Sequence, residues 1–354
     1  MINRVKNFLI GKADGALIVS EENVRYFTSF TSSNGYLLIT KDKSVFMTDS
    51  RYIEAAEKTI KTCDEICEIK SVRESLAPVV KSLGIKTIAV EQSRMTLSEL
   101  ELFRKEFENV EFITSSLLDD EINLIRAVKT EEEKEKIEKA QRIAEGAFNH
   151  ILTFIKPGIT ERDISLELDY AMLRGGAEAL SFETIAVAGA KTSMPHGVPD
   201  NNTVKTGDFI TMDFGAVFDG YHSDMTRTIA VGQVSDKQIE VYNTVLEAQL
   251  KGMEIIKAGT LCKDVDERAR NIIKSKGYGD FFGHGYGHGV GIEIHEYPRL
   301  SPKSEAVLEA GHVVTAEPGI YIPGEFGVRI EDMVMVTETG YYNFTKSEKK
   351  LIVV

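Results

Sequence analysis

Through its first 120 residues the chain alternates short apolar, β-rich runs with stretches in which apolar residues recur every three or four positions. The runs cover residues 15–20, 35–40, 44–48 and 86–90, each bounded by Gly, Asp or Lys. Between them, 51–60, 72–83 and 96–107 carry helical spacing. This alternation predicts an α/β domain built on a mixed or parallel sheet. The pattern then changes. Thr130 and Glu133 stand at capping-box spacing. Ile137, Ala140, Ile143, Ala144, Ala147, Phe148, Ile151 and Leu152 form an apolar stripe that ends at Pro157-Gly158. One long amphipathic helix is expected over 130–155, with the charged run 131–136 as its solvated face. A boundary near residues 120–128 follows, giving an N-terminal domain of 1–124 and a C-terminal domain of 125–354. Beyond it, a second helix is predicted from Thr160 to Gly175-Gly176, and strands over 182–188, 208–218 and 224–231. Helices over 235–257 and 261–276 come next, then a Gly-rich, β-like remainder from Tyr278 onward. Paired strands and paired helices, twice over, predict an α+β domain with internal pseudo-symmetry.

Length and charge narrow the class of function. A chain of 354 residues suits about two domains and can bury a full-sized core without disulfides or structural metal. With 42 basic and 55 acidic residues its net charge is −13, which argues against a nucleic-acid partner and against an anionic membrane surface. No apolar run approaches the ~18 residues of a membrane span. The first 20 residues hold only Phe8-Leu9-Ile10 and no small-residue cleavage site, so no signal peptide is expected. Three cysteines, Cys63, Cys67 and Cys262, point to a reducing, cytoplasmic setting. Cys63 and Cys67 have zinc-like spacing but no second pair beside them.

Candidate chemistry lies in the C-terminal part. His284, His288 and His295 fall in Gly-His-Gly-Tyr-Gly-His-Gly-Val-Gly-Ile-Glu-Ile-His-Glu, residues 283–296. Alternate glycines remove side chains where something must approach the backbone closely. A phosphate loop does not fit, because no Lys-Ser/Thr follows and no register matches G-x-G-x-x-G. Four acids sit within or beside strongly apolar strand candidates. Asp213 lies in Phe209-Ile-Thr-Met-Asp-Phe214, and Asp224 precedes Met225-Thr-Arg-Thr-Ile-Ala230 after the turn Asp219-Gly220. Glu317 follows Val313-Val-Thr-Ala316, and Glu331 lies in Val328-Arg-Ile-Glu-Asp-Met-Val334. A carboxylate in such company is costly unless it is paired or holds a cation. Singly, each is equally well read as a salt-bridged core residue. Together, four carboxylates and one imidazole suit two divalent ions of intermediate hardness, with two acids bridging and one water activated as hydroxide. Thr226 and Thr228 share a strand face with Asp224 and are candidate hydroxyls behind the ligands.

Asp213 and Asp224, with ten residues between them, then His288, Glu317 and Glu331, resemble the five-ligand signature of the pita-bread metallopeptidases. That group includes methionine aminopeptidases, aminopeptidase P and prolidase. His288-Gly-Val-Gly-Ile-Glu-Ile-His-Glu296, Glu317-Pro-Gly-Ile-Tyr321 and Val328-Arg-Ile-Glu-Asp332 are similar to its Xaa-Pro branch in particular. Asn23-Val-Arg-Tyr-Phe-Thr-Ser-Phe30 and Asp49-Ser-Arg-Tyr52 resemble the creatinase-like N-terminal domain of that branch. The resemblance implies an α/β N-terminal domain followed by an α+β pita-bread catalytic domain. It also implies a metallo-exopeptidase, an Xaa-Pro dipeptidase working through a metal-bridging hydroxide. The alternatives are an Xaa-Pro aminopeptidase acting on longer peptides and a catalytically silent binding protein of the same fold.

The implied roles follow residue by residue. Asp213 would chelate one metal, His288 and Glu317 the other, while Asp224 and Glu331 bridge, and Glu317 would also shuttle the proton of the water. His196 would steady the scissile region and His295 would hydrogen-bond the carbonyl. His284 would line the proline side of the pocket and Arg299 would grip a dipeptide's carboxylate. Arg329 would pair with the bridging acids from the same strand face as Glu331. Manganese is the expected ion, with cobalt, zinc or iron(II) as alternatives, and a homodimer is the expected assembly. His150 and His312 are assigned structural or surface roles, His222 is left open, and Phe182 and Tyr321 either flank a proline ring or belong to the core.

Overall fold

Apolar residues covered on both faces make the N-terminal runs central strands rather than surface ones. In the computed structural model, which describes residues 1–354, Gly15–Ile18 and Ser44–Thr48 are buried at every position. They belong to a six-stranded sheet in the order Glu65–Glu68, Ser44–Thr48, Gly35–Thr40, Gly15–Ile18, Thr87–Val90, Glu111–Ile113. Its pairings are both parallel and antiparallel, so the sheet is mixed, as expected. The two edge strands are short, and each ends or begins on glutamate, so their sequences carry little strand signal. Two eight-residue helices, Ile2–Leu9 and Glu21–Thr28, are too short for their period to stand out. The helix expected over 72–83 is a π-helical turn, Val72–Leu76, running into Ala77–Ser82. This sheet and its helices form one compact unit, Met1–Arg126; Ala127–Val354 forms the other.

In the second unit the capping box at Thr130 and Glu133 opens a helix over Glu131–Phe154, and Thr160 caps Glu161–Arg174 with Asp163. These two helices bury Ala144, Phe148, Ile151, Leu168 and Met172 against the antiparallel sheet Met225–Ala230, Phe209–Phe214, Ile185–Ala188. A second helix pair, Asp236–Met253 and Cys262–Ser275, packs Val245, Ala248, Val265 and Ala269 in one core with Val314, Ala316 and Val334. Those last three belong to a five-stranded sheet in the order Glu296–Leu300, Gly287–Gly289, Val313–Ala316, Asp332–Val336, Tyr341–Asn343. Each helix pair thus covers its own sheet. The strand expected over 208–218 breaks at Gly215, where a Cβ would overlap the Ser223 carbonyl.

Between the two sheets lies a buried ion pair. The Arg227 guanidinium donates to Asp332 Oδ1 at 2.9 Å, with the side chains 1% and 0% exposed. Arg227 also donates to the carbonyls of Glu331, Ser347 and Glu348, and Lys349 reaches Asp332 Oδ2 at 2.8 Å. Loss of Asp332 should therefore be strongly destabilising. Asp332→Ala strands a buried guanidinium and is expected to lower stability by about 3–5 kcal/mol, whereas Arg227→Met with Asp332→Leu should cost clearly less. Urea unfolding of the two variants checks this, and a double variant as unstable as Asp332→Ala would show that removing the guanidinium relieves no stranded charge.

Candidate active site

Strand ends deliver the functional side chains. Asp213 is penultimate in Phe209–Phe214, and His288 is central in the three-residue strand Gly287–Gly289. Asp224, Glu317 and Glu331 each stand one residue outside a strand, before Met225–Ala230, after Val313–Ala316 and before Asp332–Val336. The alternate glycines allow strands, not a ligand, to come close. A Cβ at Gly287 would overlap the Thr315 carbonyl, and one at Gly289 would lie 2.5 Å from the Tyr297 carbonyl. One pocket of about 590 Å³ gathers Asp213, Asp224, His288, Glu317, Glu331, His196, His284, His295, Arg299 and Arg329, with Phe182 and Tyr321 also on its wall. His150 pairs with Glu167 elsewhere on the unit's surface, and His312 is buried away from the pocket, accepting from the Glu309 amide. His222 does not line the pocket either.

Asp224, His288 and Glu331 each offer a ligand atom within 4.8 Å of the others. His288 Nε2 lies 3.5 Å from Asp224 Oδ2 and 3.4 Å from Glu317 Oε1. Its Nδ1 is 3.1 Å from the Gly289 carbonyl, which can only accept, so the proton sits on Nδ1 and Nε2 keeps its lone pair. Burial, then His295 and Arg299, press the His288 pKa down to about 3, so the ring is neutral. The acids move the other way. Burial first, and neighbouring carboxylates second, hold Asp224 and Glu331 well above the usual range. Burial also pushes Glu317 up to about 8, against the pull of Arg329. Asp213 Oδ1 is buried with no hydrogen-bond partner. Oxygen donors that repel one another, an orphaned carboxylate oxygen and a neutral imidazole with a free lone pair together fit divalent cations.

Arg329 departs from its expected place. Its Nη2 donates to Asp213 Oδ2 at 2.6 Å, not to Asp224 or Glu331. The strand Phe326–Arg329 stops at Arg329, so two-residue alternation does not carry on to Glu331. Thr226 mediates instead: its hydroxyl accepts from Arg329 Nε at 3.0 Å and donates to Glu331 Oε2 at 2.7 Å. Thr228 does not stand behind a ligand; it bonds the Arg329 backbone at both its amide and its carbonyl.

Arg329 also donates to the Tyr321 hydroxyl at 3.0 Å, which lies 2.9 Å from His284 Nε2. The phenol, pushed up to about 12 by burial, keeps its proton and donates it to His284. His284 Nδ1 then donates to the Gly285 carbonyl at 2.9 Å. Both nitrogens are engaged, so His284 presents ring carbons to the pocket. Sequence reasoning missed Tyr321 as this link and weighed only its ring. His295 stacks edge-on against His288 with 4.4 Å between ring centroids. Arg299, opposite His288 in the strand register, is exposed and pairs with no carboxylate.

Residues 135–338 match metallopeptidase family M24, and residues 10–128 match the creatinase/prolidase N-terminal domain. An Xaa-Pro dipeptidase of Pyrococcus furiosus is 40% identical over 96% of this chain and 95% of its own. Among solved structures, an Xaa-Pro dipeptidase from Bacillus anthracis is 45% identical with a TM-score of 0.95, covering 100% of this chain and 99% of that one. An X-Pro aminopeptidase from Thermotoga maritima is 39% identical with a TM-score of 0.92, covering 99% and 100%.

The raised carboxyl pKa values set a pH dependence. A carboxyl whose pKa is higher in the fold than in the unfolded chain stabilises below its unfolded pKa, and that contribution fades as pH rises through the folded value. For Glu317 the window runs from 4.5 to about 8. Chelator-treated protein is expected to unfold at lower temperature near pH ~8 than near pH ~5, with manganese restoring stability mainly at the higher pH. Calorimetry at both pH values would contradict this if manganese acted equally at each.

Proposed function

The chain belongs to metallopeptidase family M24, and from that premise we propose that it hydrolyses the bond between the first residue and proline in Xaa-Pro dipeptides. Asp213, Asp224, His288, Glu317 and Glu331 would hold two divalent ions, with manganese the proposed metal and Asp224 and Glu331 shared between the two positions. Bound there, such ions polarise a carbonyl and bring the pKa of a water toward neutrality.

The remaining steps fall to the chain's own groups. Glu317, hydrogen-bonded by Thr315 at 3.3 Å, is the carboxylate proposed to take the water's proton and pass it to the leaving proline nitrogen. His295, its pKa lowered by burial and by Arg299, is neutral and donates an N–H to the carbonyl oxygen as charge builds there. His196, exposed on the pocket wall, steadies the scissile region. The His284 ring, Tyr321 and Phe182 offer apolar faces to the proline ring. The observation that carries the dipeptidase reading is Arg299, an exposed guanidinium on the pocket wall without a carboxylate of its own. A free carboxylate directly after proline is the anion it would bind. A second reading, cleavage of longer Xaa-Pro peptides, draws support from the likeness to the Thermotoga maritima aminopeptidase. All five ligand residues are present, which argues against a silent binding protein. Action as a cytoplasmic homodimer completes the proposal.

Arg299→Ala is expected to raise KM for Xaa-Pro dipeptides roughly ten- to a hundredfold and to leave Xaa-Pro-Xaa tripeptides unchanged. Equal weakening of both substrates would mean that Arg299 orders its strand and does not read the carboxylate. His295→Ala and His196→Ala should each keep bound metal and fold while kcat falls by about 10²–10³. Near wild-type turnover, with metal content measured in parallel, would take these imidazoles out of the mechanism.

A further inference from the structure

Next to His295 in the chain lies one half of a second buried ion pair that the proposed chemistry does not use. Lys129 Nζ donates to Glu296 Oε2 at 2.9 Å, with the two side chains 1% and 4% exposed. Glu296 is the residue after His295. It begins the strand Glu296–Leu300 and pairs with Gly289, so residues 290–295 form a loop that leaves the ladder and returns beside its starting point. The carboxylate organises that loop from within. Its Oε1 accepts from the Glu293 amide at 3.0 Å, while the Gly291 amide bonds the Glu293 carbonyl at 3.0 Å. Gly291 has no room for a side chain, because a Cβ there would lie 2.5 Å from Glu296 Oε2. Lys129 is itself fixed, its amide donating to the Gly311 carbonyl at 2.9 Å beside the Val128–His312 bridge.

We propose that Lys129 is a positioning residue for His295. Its ammonium fixes the Glu296 carboxylate, and that carboxylate fixes the 290–295 loop that carries the imidazole into the pocket. A buried carboxylate that loses the ammonium beside it is less well stabilised as an anion, and either takes up a proton more readily or shifts toward water. In both cases the anchor of the Glu293 amide is weakened. A displacement of about 1 Å at a reacting group can lower turnover by ~10²-fold without altering substrate affinity. The kinetic part of the proposal rests on the reading of His295 given above, whereas the structural part stands independently.

The test uses the full-length, metal-loaded protein. In Lys129→Met, amide hydrogen exchange across 289–296 is expected to accelerate at least tenfold, and kcat on an Xaa-Pro dipeptide to fall roughly ten- to a hundredfold at little-changed KM. Glu296→Gln added to Lys129→Met removes the carboxylate's charge while keeping an acceptor oxygen for the Glu293 amide, and should recover much of the loss. In a His295→Ala background, Lys129→Met should lower kcat no further. Gly291→Ala keeps both charges but displaces the carboxylate, so it should reproduce the phenotype and serves if Lys129→Met does not fold. Unchanged exchange in folded Lys129→Met, or a kcat loss that simply adds to that of His295→Ala, overturns the proposal. If His295→Ala keeps full activity while exchange still rises in Lys129→Met, the role of His295 falls and the anchoring of its loop stands.

Discussion

Like-charge repulsion sets the terms for this molecule: four carboxylates converge on one pocket that contains a single buried guanidinium. Arg329 pairs with Asp213, yet burial first and then the Asp213 charge still raise Asp224 and Glu317, while Asp224, Glu317 and Asp213 all add to the rise at Glu331. A fold would not keep such a group for stability alone, because apolar residues of similar volume would serve at least as well. The cluster makes physical sense as a receptacle for positive charge. The surrounding hydrogen bonds agree, since Thr226 joins Arg329 to Glu331 and Tyr321 joins Arg329 to His284. One guanidinium thereby orients an acid, a hydroxyl, a phenol and, through the phenol, an imidazole.

Glu331 and Asp332 show how far neighbours control such groups. They are adjacent in sequence and both buried, yet their carboxyls shift in opposite directions. Burial raises both. For Asp332 the charges of Arg227 and Lys349 outweigh it, while for Glu331 the nearby charges are other carboxylates. Successive residues of an extended chain face opposite ways, so one side meets the pocket and the other meets the ion pair that joins the two sheets. The same short segment therefore supplies a reactive acid and the clamp that holds it in place.

Much of this was legible in the sequence wherever a local rule coincided with the tertiary outcome. The capping box at Thr130 and the helix start at Thr160 stand where helices begin, and all ten site residues line one pocket. Acids set among β-branched residues are conspicuous, because burial without a partner is so unfavourable. What escaped notice depends on contacts between distant segments. The edge strands Glu65–Glu68 and Glu111–Ile113 owe their existence to parallel pairing with neighbours, not to their own composition. Two-residue alternation points Arg329 at Asp224 and Glu331, but its strand ends at Arg329 and the guanidinium pairs with Asp213. Lys129 and Glu296 are separated by 167 positions, and no periodic pattern joins them.

The two His-Gly pairs give the glycine-rich segment a meaning beyond strand packing. His284 and His288 each direct Nδ1 at the carbonyl of the glycine that follows, at 2.9 and 3.1 Å. A carbonyl cannot donate, so each ring is fixed as the Nδ1–H tautomer with Nε2 an acceptor. For His288 that leaves a lone pair facing acids; for His284 it leaves a lone pair satisfied by Tyr321. Burial lowers both pKa values, which keeps the acceptor nitrogens free of protons. His295 is followed by Glu296, whose side chain holds the loop, and its ring is more exposed. Rings that must accept are therefore locked by the next glycine. The ring proposed to donate is placed by its loop instead, and so its N–H remains available to a substrate oxygen.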